Sequence, residues 1–127
     1  MSPQEIFNIV VQHLISQGKR ATDTSGTCQY HAPNGTKCAV GCLIPDNYYT
    51  TEMEGCTAYE ISEYLPKNLQ DNIELISGLQ SIHDIQSNWN SVGLTYSAMF
   101  RLEELAKKFS LSIEIIEQHL SPKVPQS

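Results

Sequence analysis

The sequence predicts a mainly α domain, with about five helices around one core and a small β-hairpin inserted in the N-terminal third. Three observations carry that reading. Apolar residues recur at spacings of three and four in three long stretches, the mark of helices with one buried face. Two of the segments open on capping boxes, Ser2-Pro3-Gln4-Glu5 and Thr57-Ala58-Tyr59-Glu60. Between short β-prone runs stands Asn34-Gly35, the strongest local signal for a hairpin turn.

The first helix starts at Ser2, with Pro3 in the first helical position, and carries Ile6, Val10 and Leu14 on one face with Phe7, Val11 and Ile15 beside them. Gly18 is its natural stop, and Lys19 and Arg20 suit the negative end of the helix dipole. Thr22 to Gly26 is small and polar and reads as loop. The hairpin would join Thr27-Cys28-Gln29-Tyr30-His31 to Lys37-Cys38-Ala39-Val40 across Pro33-Asn34-Gly35, although Ala39 to Leu43 could equally begin a helical turn.

Asp46 to Gly55 reads as an ordered loop, and a short helix follows from Thr57 through Tyr64, ended by Pro66. A longer helix then runs from Leu69 through Ile73, Ile76, Leu79 and Ile82 to Ile85. Gly78 inside it costs about 1 kcal/mol against alanine and so marks a close helix contact. Asn88 to Gly93 is a turn. Thr95 to Phe109 is a strong helix with Met99, Leu102, Leu105, Ala106 and Phe109 inward, and Ile113 to Leu120 is the last, with Ile113, Ile116 and Leu120 inward. The expected organisation is one domain over residues 1–121 and a flexible tail over residues 122–127.

The chain has 127 residues, 40% of them apolar and 17% charged, which is enough to bury a core and is unlike a disordered chain. The formal net charge is −6. Between Lys37 and Arg101 the only base is Lys67, against Asp46, Glu52, Glu54, Glu60, Glu63, Asp71, Glu74 and Asp84. An acidic middle repels nucleic acid and anionic membrane and favours a basic partner surface; a face that only aids solubility has the same composition. No apolar run spans a bilayer, and Met1-Ser2-Pro3-Gln4-Glu5 lacks the basic start of a secretory signal. The expected location is therefore the cytoplasm, or a host cell reached through a signal of another kind.

Four constellations bear on chemistry. Cys28-x-x-His31 and Cys38-x-x-x-Cys42 offer four soft ligands for a structural zinc, but two cysteines at helical spacing also describe buried thiols. A cysteine nucleophile needs an oriented histidine, and His13, His31, His83 and His119 stand in no recognisable catalytic signature; His13 and His83 read as packed or rim residues. The deaminase pattern, the nucleophile elbow, the phosphate loop and the dinucleotide glycines are absent from the sequence. Leu102 to Ile116 resembles a helix-turn-helix, with Ala106 at the crossing and Leu111 in the turn. Its second helix shows Glu114, Glu117, Gln118 and His119 where a DNA reader shows lysine or arginine.

The fourth constellation is the loop Asn47, Tyr48, Tyr49, Glu52, Met53 and Glu54, whose aromatic, thioether and acidic side chains have the composition of a protein interface. Tyr48 and Met53 could equally turn inward and seal the core. The expectation is a non-enzymatic interaction module with no cofactor, most simply an inhibitor or regulator of a partner enzyme. The alternatives are a zinc-stabilised or helix-turn-helix regulator and a cysteine-dependent enzyme. The pattern of Leu69 to Ile85 fits burial within one chain or a shared helix in a homodimer.

The run Cys28-Gln29-Tyr30, then Asn34-Gly35-Thr36-Lys37-Cys38-Ala39-Val40-Gly41-Cys42-Leu43-Ile44-Pro45-Asp46, then Met53-Glu54-Gly55, resembles a group of short bacterial and phage proteins. That resemblance covers roughly the first half and implies a compact helical fold. In length, acidity and Asn/Gln/Ile/Ser-rich helices the chain also resembles the small Legionella inhibitors of ubiquitin-deamidating effectors. This implies a non-enzymatic inhibitor that covers the ubiquitin-binding surface of a cysteine deamidase. Ubiquitin's own contact surface is basic and apolar, so an acidic mimic does not follow from charge alone.

Overall fold

A computed structural model describes residues 1–120; Ser121 and the expected tail lie outside the described residues. Among these, the fold is mainly α with one two-stranded hairpin. The helices are α1 (Pro3–Gln17), α2 (Ala58–Ile61), α3 (Lys67–Gln70), α4 (Ile73–Asp84), α5 (Tyr96–Lys108) and α6 (Glu114–Leu120), and the strands are β1 (Trp89–Asn90) and β2 (Gly93–Leu94).

Helix α1 forms for the reasons its sequence supplies. Ser2 Oγ accepts from the Glu5 N–H at 3.1 Å and Glu5 Oε1 accepts from the Ser2 N–H at 2.9 Å, so the first turn's free donors are met reciprocally. Gly18 ends the helix in the left-handed region, at φ +72°, and donates to the Leu14 carbonyl. Ile6, Phe7, Val10, Val11 and Leu14 are fully buried, packed against α4, α6 and β2. Helix α4 is the central element. It buries Leu75, Ile76, Leu79 and Ile82 and touches α1, α2 and α5. Gly78 gives the close approach expected of it: a Cβ there would lie 2.7 Å from Leu105 Cδ1 of α5.

The single helix expected over Leu69 to Ile85 is two helices, so α-helices number six among the described residues rather than five. The break falls at Asp71-Asn72, where Asn72 Nδ2 donates to the Asn68 carbonyl at 2.8 Å and the backbone leaves the helical region. A side chain that competes for backbone partners in this way interrupts a helix without any proline.

The hairpin is also elsewhere than expected. Residues 22–40 hold only two isolated bridges, Thr22↔Cys28 and His31↔Lys37, the second around a tight turn in which Gly35 takes φ +88°. Ala32 and Cys38 N–H do bond across the turn, to the Thr36 and Tyr30 carbonyls, but the other donors a ladder would need have other partners: Gln29 N–H bonds the Ala21 carbonyl, Tyr30 and His31 N–H bond the Glu54 carboxylate, and Lys37 N–H bonds Gln17 Oε1. The paired strands are β1 and β2, antiparallel with Trp89 opposite Leu94, in the stretch read as a turn. Gly41–Leu43 is the helical turn allowed for above, of the 3-10 type.

Helix α5 leaves through Ser110, at φ +57°, and the Leu111 N–H closes back on the Ala106 carbonyl at 2.8 Å. Helix α6 then buries Ile116 and exposes Glu114, Glu117, Gln118 and His119. The side chain of Leu120 lies outside the description. No helix of the described residues is long and apolar enough to cross a membrane.

Candidate functional site

The loop from Pro45 to Thr57 is held by its own turns and by one carboxylate. The Pro45 carbonyl accepts from Tyr48 and Tyr49 N–H, Thr51–Met53 winds into a 3-10 turn, and Gly55 takes φ +82°. Glu54 then reaches back to the Tyr30–His31 backbone. It accepts from Tyr30 N–H at 2.7 Å, from His31 N–H at 3.1 Å and from the Tyr49 hydroxyl at 2.6 Å. Tyr49 stacks on His31 with ring centroids 4.1 Å apart, while His31 Nε2–H donates to the Gly41 carbonyl. Burial, then the bond to Glu54 and its charge, push the Tyr49 phenol up to about 12.

The six interface candidates therefore divide. Met53 is buried, and Tyr49 and Glu54 are half-buried and spent on fastening the loop. Asn47, Tyr48 and Glu52 remain exposed. With α2 and the residues after it, these three line a groove of about 640 Å³, whose other wall carries Glu60, Glu63 and Tyr64. Tyr48 is 42% exposed and Tyr64 60%, so two rings flank a trough bearing three carboxylates. No lysine or arginine lines it. Thr57 caps α2 and Glu60 Oε1 accepts from its N–H at 2.7 Å, which fixes the groove's acidic wall.

The zinc set is not assembled. Cys38 is buried with its sulfur accepting from Gly41 N–H at 3.2 Å, and the Cys42 thiol donates to the Ala39 carbonyl at 3.2 Å. Burial raises the pKa of Cys38 and lifts that of Cys42 to about 12, against the charge of Lys37 in the latter case. With His31 bonded to Gly41 and Cys28 approached by Arg20 Nη1 at 3.4 Å, each expected ligand has a local partner of its own.

Among the described residues a different trio, Cys28, His83 and Asp84, brings its polar atoms within 4.8 Å of one another. It resembles a cysteine triad or a metal site in composition only. The Ala21 N–H donates to His83 Nε2 at 3.0 Å, and a backbone amide can only donate, so the ring proton is on Nδ1 and points to Asp84 Oδ1 at 2.8 Å. Nδ1 carries the proton and the Nε2 lone pair is spent on the Ala21 amide, so in this arrangement neither nitrogen is free to take a thiol proton or bind a cation. Burial first, then Asp84, raise the Cys28 pKa in opposition to Arg20, away from the thiolate a nucleophile requires.

The role of His83 is architectural. It is fully buried at the end of α4, where the Asn88 amide donates to the Ile82 carbonyl, the Trp89 indole to the His83 carbonyl and Arg20 to the Asp84 carbonyl. These bonds satisfy carbonyls that the helix end leaves free. Neither the Glu54 clasp nor the His83 anchor announces itself in sequence, because each joins segments more than 20 residues apart; the adjacent pair His83-Asp84 at a helix end was the one available cue. Comparison with protein-family models, with curated proteins and with solved structures found no match.

Proposed function

We propose that this chain is a non-enzymatic protein-interaction module that regulates a partner enzyme, and that the groove between Tyr48 and Tyr64 is where it takes hold. The observation that carries the reading is that groove: Tyr48 and Glu52 on a loop pinned by Glu54 face Glu60, Glu63 and Tyr64 on α2 and the turn after it. Aromatic rings supply contact area at small entropic cost, and uncompensated acids select a basic segment of the partner. The Nε2 lone pair of His83, engaged by the Ala21 amide, and the raised pKa of the Cys28 thiol support binding over cysteine catalysis.

The resemblance to inhibitors of ubiquitin-deamidating effectors supplies the partner class, a cysteine deamidase. The test is calorimetric titration of a purified enzyme of that class, with its deamidation of ubiquitin followed in parallel. The expected result is a one-to-one complex that slows deamidation. Tyr48→Ala should weaken it by about 2 kcal/mol, roughly thirtyfold, and Glu63→Lys should weaken it further at low salt. No complex at micromolar concentrations overturns the partner class. A complex indifferent to both substitutions overturns the groove.

A further inference from the structure

Among the described residues, helix α5 has one buried face and one exposed face. Ala98, Met99, Leu102 and Ala106 are buried against the core. On the opposite side Ser97, Phe100, Arg101, Glu104 and Lys108 follow one another at helical spacing and edge an open groove of about 580 Å³ against α4. Phe100 is 59% exposed, and Ile85, on the far edge of the groove, is 44% exposed. Leu105 packs over Gly78 in the lining of this groove. It shares no lining residue with the Tyr48–Tyr64 groove, so the inference stands apart from the proposed function.

We propose that this face joins two copies of the chain about a two-fold axis, with α5 antiparallel to α5 of the second copy. The argument is the order of charges. Along the ridge the signs alternate, Arg101 positive, Glu104 negative and Lys108 positive. A partner of a single sign would oppose one of them, and an anionic bilayer would meet Glu104 as well as a chain of net charge −6. Turned end for end with an offset, the ridge brings opposite charges together once on each side of the axis. With the axis level with Leu102 and Glu103, each Arg101 faces the other copy's Glu104, and Ser97 faces Lys108. Each Phe100 ring then rests on the aliphatic stems of Glu104 and Lys107 across the axis, losing its exposure. Among the described residues Glu104 pairs with the exposed Lys107 alone, at 3.5 Å, a pair that yields easily to a better one.

The experiment is analytical ultracentrifugation of the full chain from about 1 to about 500 µM, beside thermal melts at the lowest concentration to check folding. The mass should rise from 14.2 kDa towards twice that value with concentration. Phe100→Asp, at an exposed site, should keep the chain monomeric throughout. Arg101→Glu and Glu104→Arg should each weaken dimerisation by about tenfold or more, and the two together should restore it, because the swapped charges again meet across the axis. A wild-type chain that stays monomeric overturns the proposal, as do a dimer that survives Phe100→Asp and a double variant no better than either single one. A mass that grows past the dimer also overturns it, since a closed two-fold contact stops at two copies.

Discussion

Glu54→Gln removes one charge and almost no volume from the residue that ties the candidate loop to the Tyr30–His31 backbone. The carboxylate accepts from three donors, two of them backbone amides. A glutamine can keep only one of its two positions as an acceptor, so either the Tyr30 or the His31 N–H must face an NH2 group. A hydrogen bond to a charged group contributes about 1.5–3 kcal/mol. The Tyr49 hydroxyl can turn and accept from the new amide, and water reaches the half-buried site, so the expected loss is about 2 kcal/mol. With a urea slope of about 1.5–2 kcal/mol per molar, the unfolding midpoint should fall by about 1 M. A second readout is specific to the contact. Tyr49 is raised to about 12 first by burial and then by Glu54, so removing the Glu54 charge should move its spectrophotometric titration down towards the ordinary value of 10.0. An unchanged midpoint together with a Tyr49 that still titrates near 12 would refute the clasp.

Four further expectations follow from the same geometry. Because the Tyr49 pKa is higher folded than unfolded, its neutral phenol favours the native state; that contribution is whole below 10.0 and is lost as pH rises through about 12, which urea midpoints across that window will show. Gly41→Ala puts a Cβ into the Tyr30 carbonyl, 2.6 Å from its carbon, and should cost about 3 kcal/mol by chemical denaturation; a loss under about 1 kcal/mol would mean that the backbone yields. His83→Ala leaves the Ala21 N–H without its acceptor and opens a cavity beside Trp89, so about 3–4 kcal/mol should be lost, and a near-neutral result would contradict the anchoring role. Towards a neutral-pH thiol reagent, Cys38 should react only on unfolding, and Cys28 and Cys42 more slowly than free cysteine. A Cys28 that outpaced free cysteine would return the chain to the class of thiol enzymes.

The helices were legible because their signals are local. Ser2 and Glu5 meet within one turn, Gly18 stops α1 by its own backbone freedom, and the apolar stripe of α5 is a matter of period, so neighbours in sequence suffice to write them. The mainly α class, the close approach at Gly78 and the inward Ile116 follow from the same kind of pattern. Propensity was a poor guide where a distant group competes for the backbone. Asn34-Gly35 did make its turn, but Gln17, Ala21 and Glu54 hold the flanking amides, and the ladder formed at Trp89–Leu94 instead.

The site divides in the same way. The composition of residues 47–54 named the loop, yet only the packed chain decided that Met53, Tyr49 and Glu54 turn inward while Tyr48 and Glu52 join Glu60, Glu63 and Tyr64 along a groove. The cysteine spacing suggested four ligands, but nearby groups within ten residues took up each of them, and the tertiary fold carried Cys28 to His83, 55 positions away. What the sequence by itself determined is whatever depends on contacts within a turn or two. Direction of a side chain, identity of a hydrogen-bond partner and the proton position on His83 depend on groups brought together from across the chain, and these only the tertiary structure decided.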